Sequence, residues 1–316
     1  MTALHQLLAA VGASPIQALQ PVPGREVQLL LKRDDLLYHP AAPEWCGNKW
    51  RKLKFNLLQA AASGHQRLLT FGGAFSNHIL AVAAAGQLTG FETIGIIRGE
   101  PEAADNPTLS KARAYGMHLH FLSRAAYRQK DDPEFVRGLE REYGSVYILP
   151  EGGTNAYALE GCVELAQEIS AQCDSKLPDA VACACGTGGT LAGLIRGFSG
   201  KTRMLGLPVL KGDFMTRNIG SLLSENDPGN WQIIPDYHFG GYAKHQPKLL
   251  EFIRQQYEEQ GIMLDPVYTG KMLFGVYDLI AKGAFPPGTT LLAIHTGGLQ
   301  GNIGMNQRLG SALLPE

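Results

Sequence analysis

The amino-acid sequence predicts an α/β protein in which a mostly parallel sheet carries helices on both of its faces. Short apolar runs of strand length alternate with segments of helical periodicity from residue 27 to residue 294. The 38 glycines cluster in tight loops between these segments. Because 316 residues are many for one hydrophobic core, two domains are favoured over one.

The predicted strands and helices follow from the alternation between strand-like and helix-like hydrophobic periodicity. The predicted strands cover residues 27–33, 67–71, 92–97, 117–121, 145–149, 179–185, 203–207 and 289–294. The predicted helices cover residues 49–62, 77–89, 107–115, 133–142, 155–170, 190–198, 246–260 and 271–282. Residues 208–244 are rich in Gly, Pro and Asp, and we expect them to be irregular.

Composition and charge exclude several classes of partner. A formal net charge of -1 provides no attraction for nucleic acid or an anionic membrane surface, so neither is expected as a partner. No apolar stretch approaches the length of a membrane span. The N-terminal apolar stretch is broken by Gly12 and Pro15, which argues against a signal peptide.

The five cysteines form no disulfide framework, which suggests reduced thiols and a cytoplasmic protein. Cys183 and Cys185 alternate with alanine in a segment that reads as a buried strand. A metal or redox pair is the alternative interpretation, but no His or Cys stands at ligand spacing from them. We therefore expect two core residues and no metal site.

The loop Gly186-Thr187-Gly188-Gly189-Thr190 joins an apolar strand to a helix. Its backbone N–H groups, the start of the helix and two hydroxyls suit a phosphate group. A dinucleotide fingerprint would need a small residue where Leu191 stands, and a P-loop would need Gly-Lys-Ser/Thr. The loop alone leaves a phosphate site and a plain tight turn equally open.

The segment Gly47-Asn48-Lys49-Trp50-Arg51-Lys52 places a lysine where a glycine turn leads into a helix. We expect the nearby cations Arg51 and Lys52 to lower the pKa of the Lys49 amine and make it more nucleophilic. A solvated surface lysine is the alternative. Lysine and phosphate cradle together are what an enzyme needs to hold pyridoxal phosphate (PLP) covalently.

A third glycine turn, Phe71-Gly72-Gly73-Ala74-Phe75-Ser76-Asn77-His78, also leads from a strand into a helix. Ser76 and Asn77 are good N-cap residues, which is the simplest explanation for them. They are also candidates to bind a substrate carboxylate and the cofactor ring. No Gly-x-Ser-x-Gly elbow is present, so a serine hydrolase is not expected, and His78 is expected to serve local packing or hydrogen bonding.

Together with two later segments, these motifs resemble the 1-aminocyclopropane-1-carboxylate (ACC) deaminase/D-cysteine desulfhydrase family of fold-type II PLP enzymes. The resemblance covers nearly the whole chain, and the order of five motifs makes it specific. The motifs are Gly-Asn-Lys-x-Arg-Lys, Gly-Gly-x-x-Ser-Asn-His, Gly-Thr-Gly-Gly-Thr, residues 265–271 (Asp-Pro-Val-Tyr-Thr-Gly-Lys) and residues 295–298 (His-Thr-Gly-Gly).

The resemblance implies a role for each matching residue. Lys49 matches the lysine that attaches PLP, Lys52 a cation on the phosphate side, and residues 186–190 the phosphate loop. Ser76 matches a substrate-contacting serine, and Asn77 the ligand of the cofactor's ring hydroxyl. The two tyrosines that line the substrate pocket in the family match Tyr242 and Tyr268.

The resemblance also implies an architecture. A smaller α/β domain of residues 50–155 is expected to be inserted into a larger domain of residues 1–49 and 156–316, each with a mostly parallel sheet. The cofactor is expected in the cleft between them, where closure excludes water. A homodimer acting on a small amino-acid substrate is expected from the same resemblance.

Two positions bear on the branch of the family. ACC deaminases have Glu after the second tyrosine and Leu in the His-Leu-Gly-Gly turn, where this chain has Thr269 and Thr296. A threonine hydroxyl beside the ring nitrogen supports a neutral ring and a milder electron sink than a carboxylate does. The resemblance therefore predicts β-elimination from D-cysteine, yielding pyruvate, hydrogen sulfide and ammonia.

Several alternatives stay open beside this prediction. ACC deamination is the first, and elimination or racemisation of a related amino acid is another. A non-catalytic PLP- or ligand-binding protein is a rival of a different class, which intact Lys49, Ser76 and Asn77 disfavour. A dehydrogenase is least favoured, because the dinucleotide fingerprint is missing. The preference for a D-amino acid comes only from the resemblance.

Overall fold

The computed structural model describes residues 2–101, 106–173, 176–223, 225, 227–310 and 314. The strands are β1 (Ile16–Ala18), β2 (Val27–Lys32), β3 (Tyr38–His39), β4 (Ala42–Cys46), β5 (Arg67–Gly73), β6 (Glu92–Arg98), β7 (His118–Leu122), β8 (Tyr147–Leu149), β9 (Ala180–Cys185), β10 (Arg203–Pro208), β11 (Trp231–Ile233) and β12 (Thr289–Ile294).

The helices alternate with these strands along most of the chain. They are α1 (Ala3–Ala9), α2 (Gly47–Ala62), α3 (Asn77–Thr89), α4 (Pro107–Ala114), α5 (Arg124–Tyr127), α6 (Pro133–Tyr143), α7 (Ala156–Gln172), α8 (Gly189–Phe198), α9 (Phe214–Leu223), α10 (Pro247–Gln260), α11 (Thr269–Ala281) and α12 (Gly301–Leu309). The predicted α/β class is therefore confirmed.

The larger sheet has the strand order β1-β2-β12-β9-β10-β11, and only the pairing of β1 with β2 is antiparallel. Its central strand β9 is buried along its whole length. Ala180, Ala182 and Ala184 face one hydrophobic core, whereas Val181, Cys183 and Cys185 face the core on the opposite side of the sheet. As predicted, the two cysteines of this strand are packing residues, because side chains alternate across a strand covered on both faces.

The smaller sheet has the order β7-β6-β5-β8, and its strands are all parallel. Helix α3 packs against it with nine consecutive buried residues, His78 to Gly86. The two sheets draw their strands from separate stretches of the chain, residues 67–149 for the smaller and residues 16–32 and 180–294 for the larger. This supports the division at residues 49 and 156, which stays a prediction.

The expectation that residues 208–244 are irregular is wrong. Helix α9 and strand β11 lie in that stretch. Met215, Ile219 and Leu223 form a buried stripe at four-residue spacing, which packs α9 against the core beside α8. Many Gly, Pro and Asp residues surround these three positions, so the helical pattern was not recognised in the sequence. The short hairpin β3-β4 and the terminal helices α1 and α12 were also not predicted.

Three of the glycine motifs fall at the carboxyl ends of parallel strands, where α/β proteins bind their ligands. Strand β5 runs into the turn before α3, β9 into the turn before α8, and β12 into residues 295–298. The beginning of α2 lies against that last turn, because Asn48 N donates a hydrogen bond to the Thr296 carbonyl (3.1 Å). The edges of the two sheets thus face one cleft.

Within the described residues, no helix combines the length and apolarity that a bilayer span requires. The same residues include no group of three or more His, Cys, Asp or Glu side chains placed to share a metal ion.

Candidate active site

The cleft between the two sheets holds a cavity of about 620 Å³. Every residue predicted for the site lines it, with the exception of Thr269. The predicted residues that meet there are Lys49, Lys52, Ser76, Asn77, Gly186, Thr187, Gly188, Gly189, Thr190, Tyr242, Tyr268 and Thr296. Residues separated by more than two hundred positions in the chain thus share one space.

The start of helix α2 is held in place by backbone contacts that only glycine permits. Gly47 has φ +58°, and a Cβ on it would collide with the carbonyl of Thr296. Asn48 follows it and donates from Nδ2 to Thr190 Oγ1 (3.1 Å). These contacts tie the first turn of α2 to the turn after β12 and to the glycine loop, so Lys49 enters the cavity from a fixed helix start.

The amine of Lys49 has an unusual environment for a lysine. Burial, and after it the positive charge of Lys52, lower its pKa to about 7. A neutral amine is therefore present near physiological pH, and only the neutral form attacks an aldehyde. The expected contribution of Arg51 is not found, because its guanidinium pairs with Asp34 and Glu168 instead.

Lys52 marks the place where a phosphate would bind. Its Nζ donates to Thr154 Oγ1 (3.0 Å) and to the Gly152 carbonyl (3.3 Å), and lies 3.5 Å from Thr187 Oγ1. Burial lowers the pKa of Lys52 because it disfavours the charged amine, and an anion beside the amine would stabilise that charged form. A Cβ on Gly189 would come within 3.2 Å of Nζ and fill the space next to it.

The loop 186–190 completes this cradle. Gly188 has φ +88° and precedes the first turn of α8, whose N–H groups have no partners within the helix. The hydroxyls of Thr187 and Thr154 lie 2.6 Å apart beside Lys52. One cation, free helical N–H groups and hydroxyl donors converge on one point, and this set fits the phosphate of PLP.

Ser76 and Asn77 begin helix α3 at the opposite wall. Ser76 is the N-cap residue, since its Oγ accepts a hydrogen bond from Ile79 N (3.3 Å), and it also lines the cavity. Asn77 Nδ2 donates to the Gly298 carbonyl (3.3 Å), which joins the smaller sheet's turn to the turn after β12. The structural and functional interpretations of Ser76 are therefore compatible, because a capped helix start still presents free N–H groups to an anion.

His78 is buried and neutral, as the prediction of a local role requires. Burial lowers its pKa well below the ordinary value, and the charges of Lys49 and Lys52 act in the same sense. Thr70 Oγ1 donates to the Leu149 carbonyl (3.1 Å), so its oxygen is left to accept from His78 Nε2 (2.9 Å). The imidazole thus packs α3 onto β5 and β8.

Tyr242 and Tyr268 form a pair at the mouth of the cavity. Their hydroxyl oxygens lie 3.4 Å apart, and their rings meet edge to face with centroids 6.1 Å apart. The ring of Tyr268 covers Gly186 at the start of the phosphate loop. Burial raises the pKa of Tyr268 well above its ordinary range, so this hydroxyl keeps its proton.

Thr269 is the one predicted site residue that does not line the cavity. Its side chain is fully buried away from the cavity, where its hydroxyl donates to Asp265 Oδ2 (2.6 Å) and accepts from Asp265 N (3.1 Å). A hydroxyl engaged in the turn that begins α11 does not extend to a ring in the cavity. Thr296 does line the cavity, so it is the threonine of the two that has access to a cofactor.

Sequence reasoning missed Thr154 and Asn48 as parts of the site. Thr154 follows Gly152-Gly153 after the carboxyl end of β8. Because ligands of α/β proteins bind at this end of the strands, Thr154 could have been predicted as a site residue. Asn48 stands within the recognised lysine motif, but its partner Thr190 is 142 residues away in sequence. No local pattern signals a contact of that kind.

The fold and this cavity define a class of protein: the chain is a pyridoxal-phosphate dependent enzyme. The model of the family described as "Pyridoxal-phosphate dependent enzyme" matches residues 7–297. Within this class the chain belongs to the ACC deaminase/D-cysteine desulfhydrase family. The family acts on small amino-acid substrates, and the predicted family, fold type and cofactor are confirmed.

Three similar proteins support this placement. A Pyrococcus horikoshii protein provisionally named as a 1-aminocyclopropane-1-carboxylate deaminase is 34% identical over 312 residues, which cover 95% of this chain and 94% of the relative. The mitochondrial bifunctional D-cysteine desulfhydrase/1-aminocyclopropane-1-carboxylate deaminase of Arabidopsis thaliana is 32% identical over 297 residues, 87% of this chain and 73% of the relative. A crystal structure of an ACC deaminase homologue superposes with a TM-score of 0.81 at 30% identity, covering 99% of this chain and 100% of that one.

Proposed function

We propose that this enzyme catalyses β-elimination from D-cysteine, in which D-cysteine and water yield pyruvate, hydrogen sulfide and ammonia. One observation carries the choice of reaction. Among the described residues that line the cavity, the single carboxylate is Glu151, which precedes the phosphate-side residue Gly152. The ring end of the cavity, near Thr296, therefore has hydroxyl groups and no carboxylate to hold a proton on the cofactor's ring nitrogen.

This difference matters because the two reactions need different help. A ring nitrogen without a carboxylate partner is a milder electron sink. Removing an α-proton and expelling a thiolate is easier than opening a cyclopropane that has no α-hydrogen. The uncharged ring end thus favours elimination.

Each predicted site residue receives a role in the proposed reaction. Bound PLP supplies the electron sink that stabilises negative charge at the substrate's Cα. Lys49, which attaches PLP in the resting enzyme, takes the α-proton, and its pKa of about 7 lets it give the proton back near neutrality. Ser76 and the start of α3 hold the substrate carboxylate. Tyr268, which stays protonated, can donate to the departing sulfur alone or through Tyr242.

The remaining residues bind the cofactor in this proposal. Lys52 and residues 186–190 hold the phosphate, Asn77 contacts the ring hydroxyl, and Thr296 lies at the ring nitrogen. Thr269 supports Tyr268 through Asp265, which also accepts a hydrogen bond from Tyr268 N (2.6 Å). In this proposal Thr269 therefore positions Tyr268 and does not contact the cofactor.

ACC deamination is the second candidate, and it is favoured by the names of the relatives in Pyrococcus horikoshii and Arabidopsis thaliana. The experiment presents D-cysteine, L-cysteine and ACC to the purified holoenzyme in parallel, with α-keto acid formation as the readout. We expect D-cysteine to give the highest kcat/KM. Faster 2-oxobutanoate formation from ACC than pyruvate formation from D-cysteine would assign the enzyme to the other branch.

Two variants of helix α2 control this experiment. Lys49→Ala removes the attachment point, so both the absorbance band of the lysine-attached cofactor and turnover should disappear. Lys54→Ala lies one turn further on and breaks a partly exposed pair with Glu164 (2.7 Å), so the absorbance band and turnover should persist. Wild-type protein that binds PLP but turns over none of the amino acids would support the non-catalytic alternative.

The proposal extends to the oligomeric state, the compartment and the domain closure of the enzyme. We expect a cytoplasmic homodimer, with residues 50–155 forming the smaller domain that closes over the substrate. Sedimentation analysis of the holoenzyme tests the dimer, and limited proteolysis with and without substrate tests domain closure. A monomer at micromolar concentration would contradict the first expectation.

A further inference from the structure

A second cavity of about 990 Å³ adjoins the first at the carboxyl edge of the smaller sheet. Both cavities are lined by Gly73, Ala74, Arg98 and Glu151, so these residues form a wall between neighbouring spaces. A three-carbon amino acid beside a cofactor does not need the second cavity. This neighbouring space leaves room for a substrate with a longer side chain.

The residues that line the second cavity carry an excess of positive charge, although the formal net charge of the protein is -1. Four cationic side chains line this cavity: Arg98, Arg124, Arg128 and Lys130. We call the part of the cavity that they line the basic basin. The acidic residues that line the same cavity are Glu100 and Glu151.

The three arginines of the basin have no ion-pair partner among the described residues. In the part of the chain that the structure describes, no carboxylate lies within 4.0 Å of the guanidinium nitrogens of Arg98, Arg124 or Arg128. Lys130 differs, since it pairs with Asp131 and lies 3.7 Å from Glu151. Arginine guanidinium groups that line a concave space with no carboxylate described beside them are suited to bind a planar or tetrahedral anion.

Arg98 connects the basin to the proposed substrate site. It is the last residue of β6 and stands beside Gly73 in the parallel ladder. A Cβ on Gly73 would meet Arg98 Nη2 at 3.5 Å, so the guanidinium lies along the turn that ends in Ser76. Tyr127 holds it from the other side, with its ring centroid 5.7 Å from Cζ.

We propose that the basic basin is a specificity subsite for a second anionic group, carried on the side chain of the substrate. The inference rests on the proposed elimination and extends it to a substrate class: β-substituted amino acids whose leaving thiol ends in a carboxylate or a phosphate-like group. The Cα–H and Cβ–S bonds break, and the sulfur leaves as a thiol after taking a proton. The remaining three carbons and nitrogen take up one water to yield pyruvate and ammonia.

The experiment compares isosteric substrates on one holoenzyme preparation. S-(2-carboxyethyl)-D-cysteine carries the anion, and the corresponding primary amide has the same shape without the charge. S-(2-phosphonoethyl)-D-cysteine separates phosphate-like from carboxylate recognition. We expect kcat/KM for one of the acids to exceed that for the amide by about tenfold or more, and the preferred acid identifies the anion.

The decisive variant is Arg124→Gln/Arg128→Gln, which should bring the acid-to-amide ratio close to one. Since the readout is a ratio from one preparation, a partly folded variant lowers both rates and leaves the ratio interpretable. The matched control is Arg137→Gln/Arg141→Gln, which removes two arginines paired with Glu134 on α6 and should keep the wild-type ratio. A wild-type ratio near one, or a preference that survives in the basin variant, overturns the proposal.

A binding measurement separates this inference from the proposed function. The same acid and amide are titrated against the holoenzyme while the visible spectrum of the cofactor is followed. Tighter binding of the acid without elimination would contradict the proposed reaction and support the subsite. Equal binding of acid and amide with rapid elimination of D-cysteine would support the reaction and overturn the subsite.

Discussion

The guanidinium of Arg51 is clamped by the carboxylate of Asp34, with Nη2–Oδ1 at 2.9 Å and Nε–Oδ2 at 3.1 Å. Both side chains are buried, and Glu168 of α7 accepts from Arg51 Nη1 at 2.7 Å. This buried network joins the helix that carries Lys49 to the turn after β2 and to α7. It faces away from the cavity, and it orients the helix start without acting on the chemistry.

Arg51→Met should therefore be strongly destabilising. It leaves Asp34 buried without its cation, and breaking such a pair costs about 3–5 kcal/mol. We expect a lower free energy of unfolding by this amount in urea denaturation. Lys54→Met on the same helix removes a partly exposed pair and should cost about 0–1 kcal/mol. Equal losses in the two variants would contradict the assigned importance of the buried network.

Gly189→Ala should weaken the binding of PLP. The new Cβ would lie 2.7 Å from Thr154 Oγ1, so Thr154 must shift, and 3.2 Å from Lys52 Nζ, so the hydrogen bond between these two side chains is disturbed. Loss of one charged hydrogen bond lowers affinity by about tenfold or more. Titration of the apoprotein with PLP measures the change. Gly220→Ala is the control, because a Cβ there meets nothing within 4 Å, and unchanged affinity in Gly189→Ala would refute the cradle.

The pH dependence of cofactor attachment follows from the pKa of Lys49. Burial, and then the charge of Lys52, lower this pKa from 10.5 to about 7, so the reactive neutral amine forms as pH rises through about 7. The rate of covalent PLP uptake by the apoprotein should increase between pH 6 and pH 8 and then level off, on the order of tenfold for each unit below the pKa. Stopped-flow absorbance measures it. A rate that still rises steeply above pH 9 would show an unperturbed lysine.

Lys271 should control the position of Tyr242. Its buried Nζ donates to the carbonyls of His238 and Gly241, both at 2.8 Å, in a segment where Phe239 and Ala243 have positive φ. Lys271→Met leaves two carbonyls without their donor, at about 1–3 kcal/mol, and frees the segment before Tyr242. We expect kcat to fall as far as in Tyr242→Phe, and the double variant to be no worse than either single one.

Two comparisons complete the test of Lys271. Lys271→Arg keeps a donor and should retain more activity than Lys271→Met. Lys282→Met, beyond the end of α11, removes an exposed pair with Asp278 and should leave kcat unchanged. Additive effects of Lys271→Met and Tyr242→Phe would show that the lysine acts elsewhere.

Regular elements were predictable wherever the local pattern was strong. The boundaries of α3 and β12 were predicted to the residue, because each lies between clear glycine or polar signals. Helix α9 escaped prediction, since three buried residues in a Gly- and Asp-rich stretch acquire meaning only from the core they face. Thr269 shows the same limitation at the site, because its distance from the cavity depends on Asp265.

The amino-acid sequence alone was sufficient to predict the α/β class, the cofactor family and most of the residues that meet in the cavity. These follow from local information, since helix and strand periods, glycine turns and motif order are all read along the chain. The tertiary structure decided the pKa of Lys49, the partner of Arg51, the closure of the cradle by Thr154 and the basic basin. Each of these depends on residues distant in sequence whose charges and atoms interact only after the two sheet edges have been brought together.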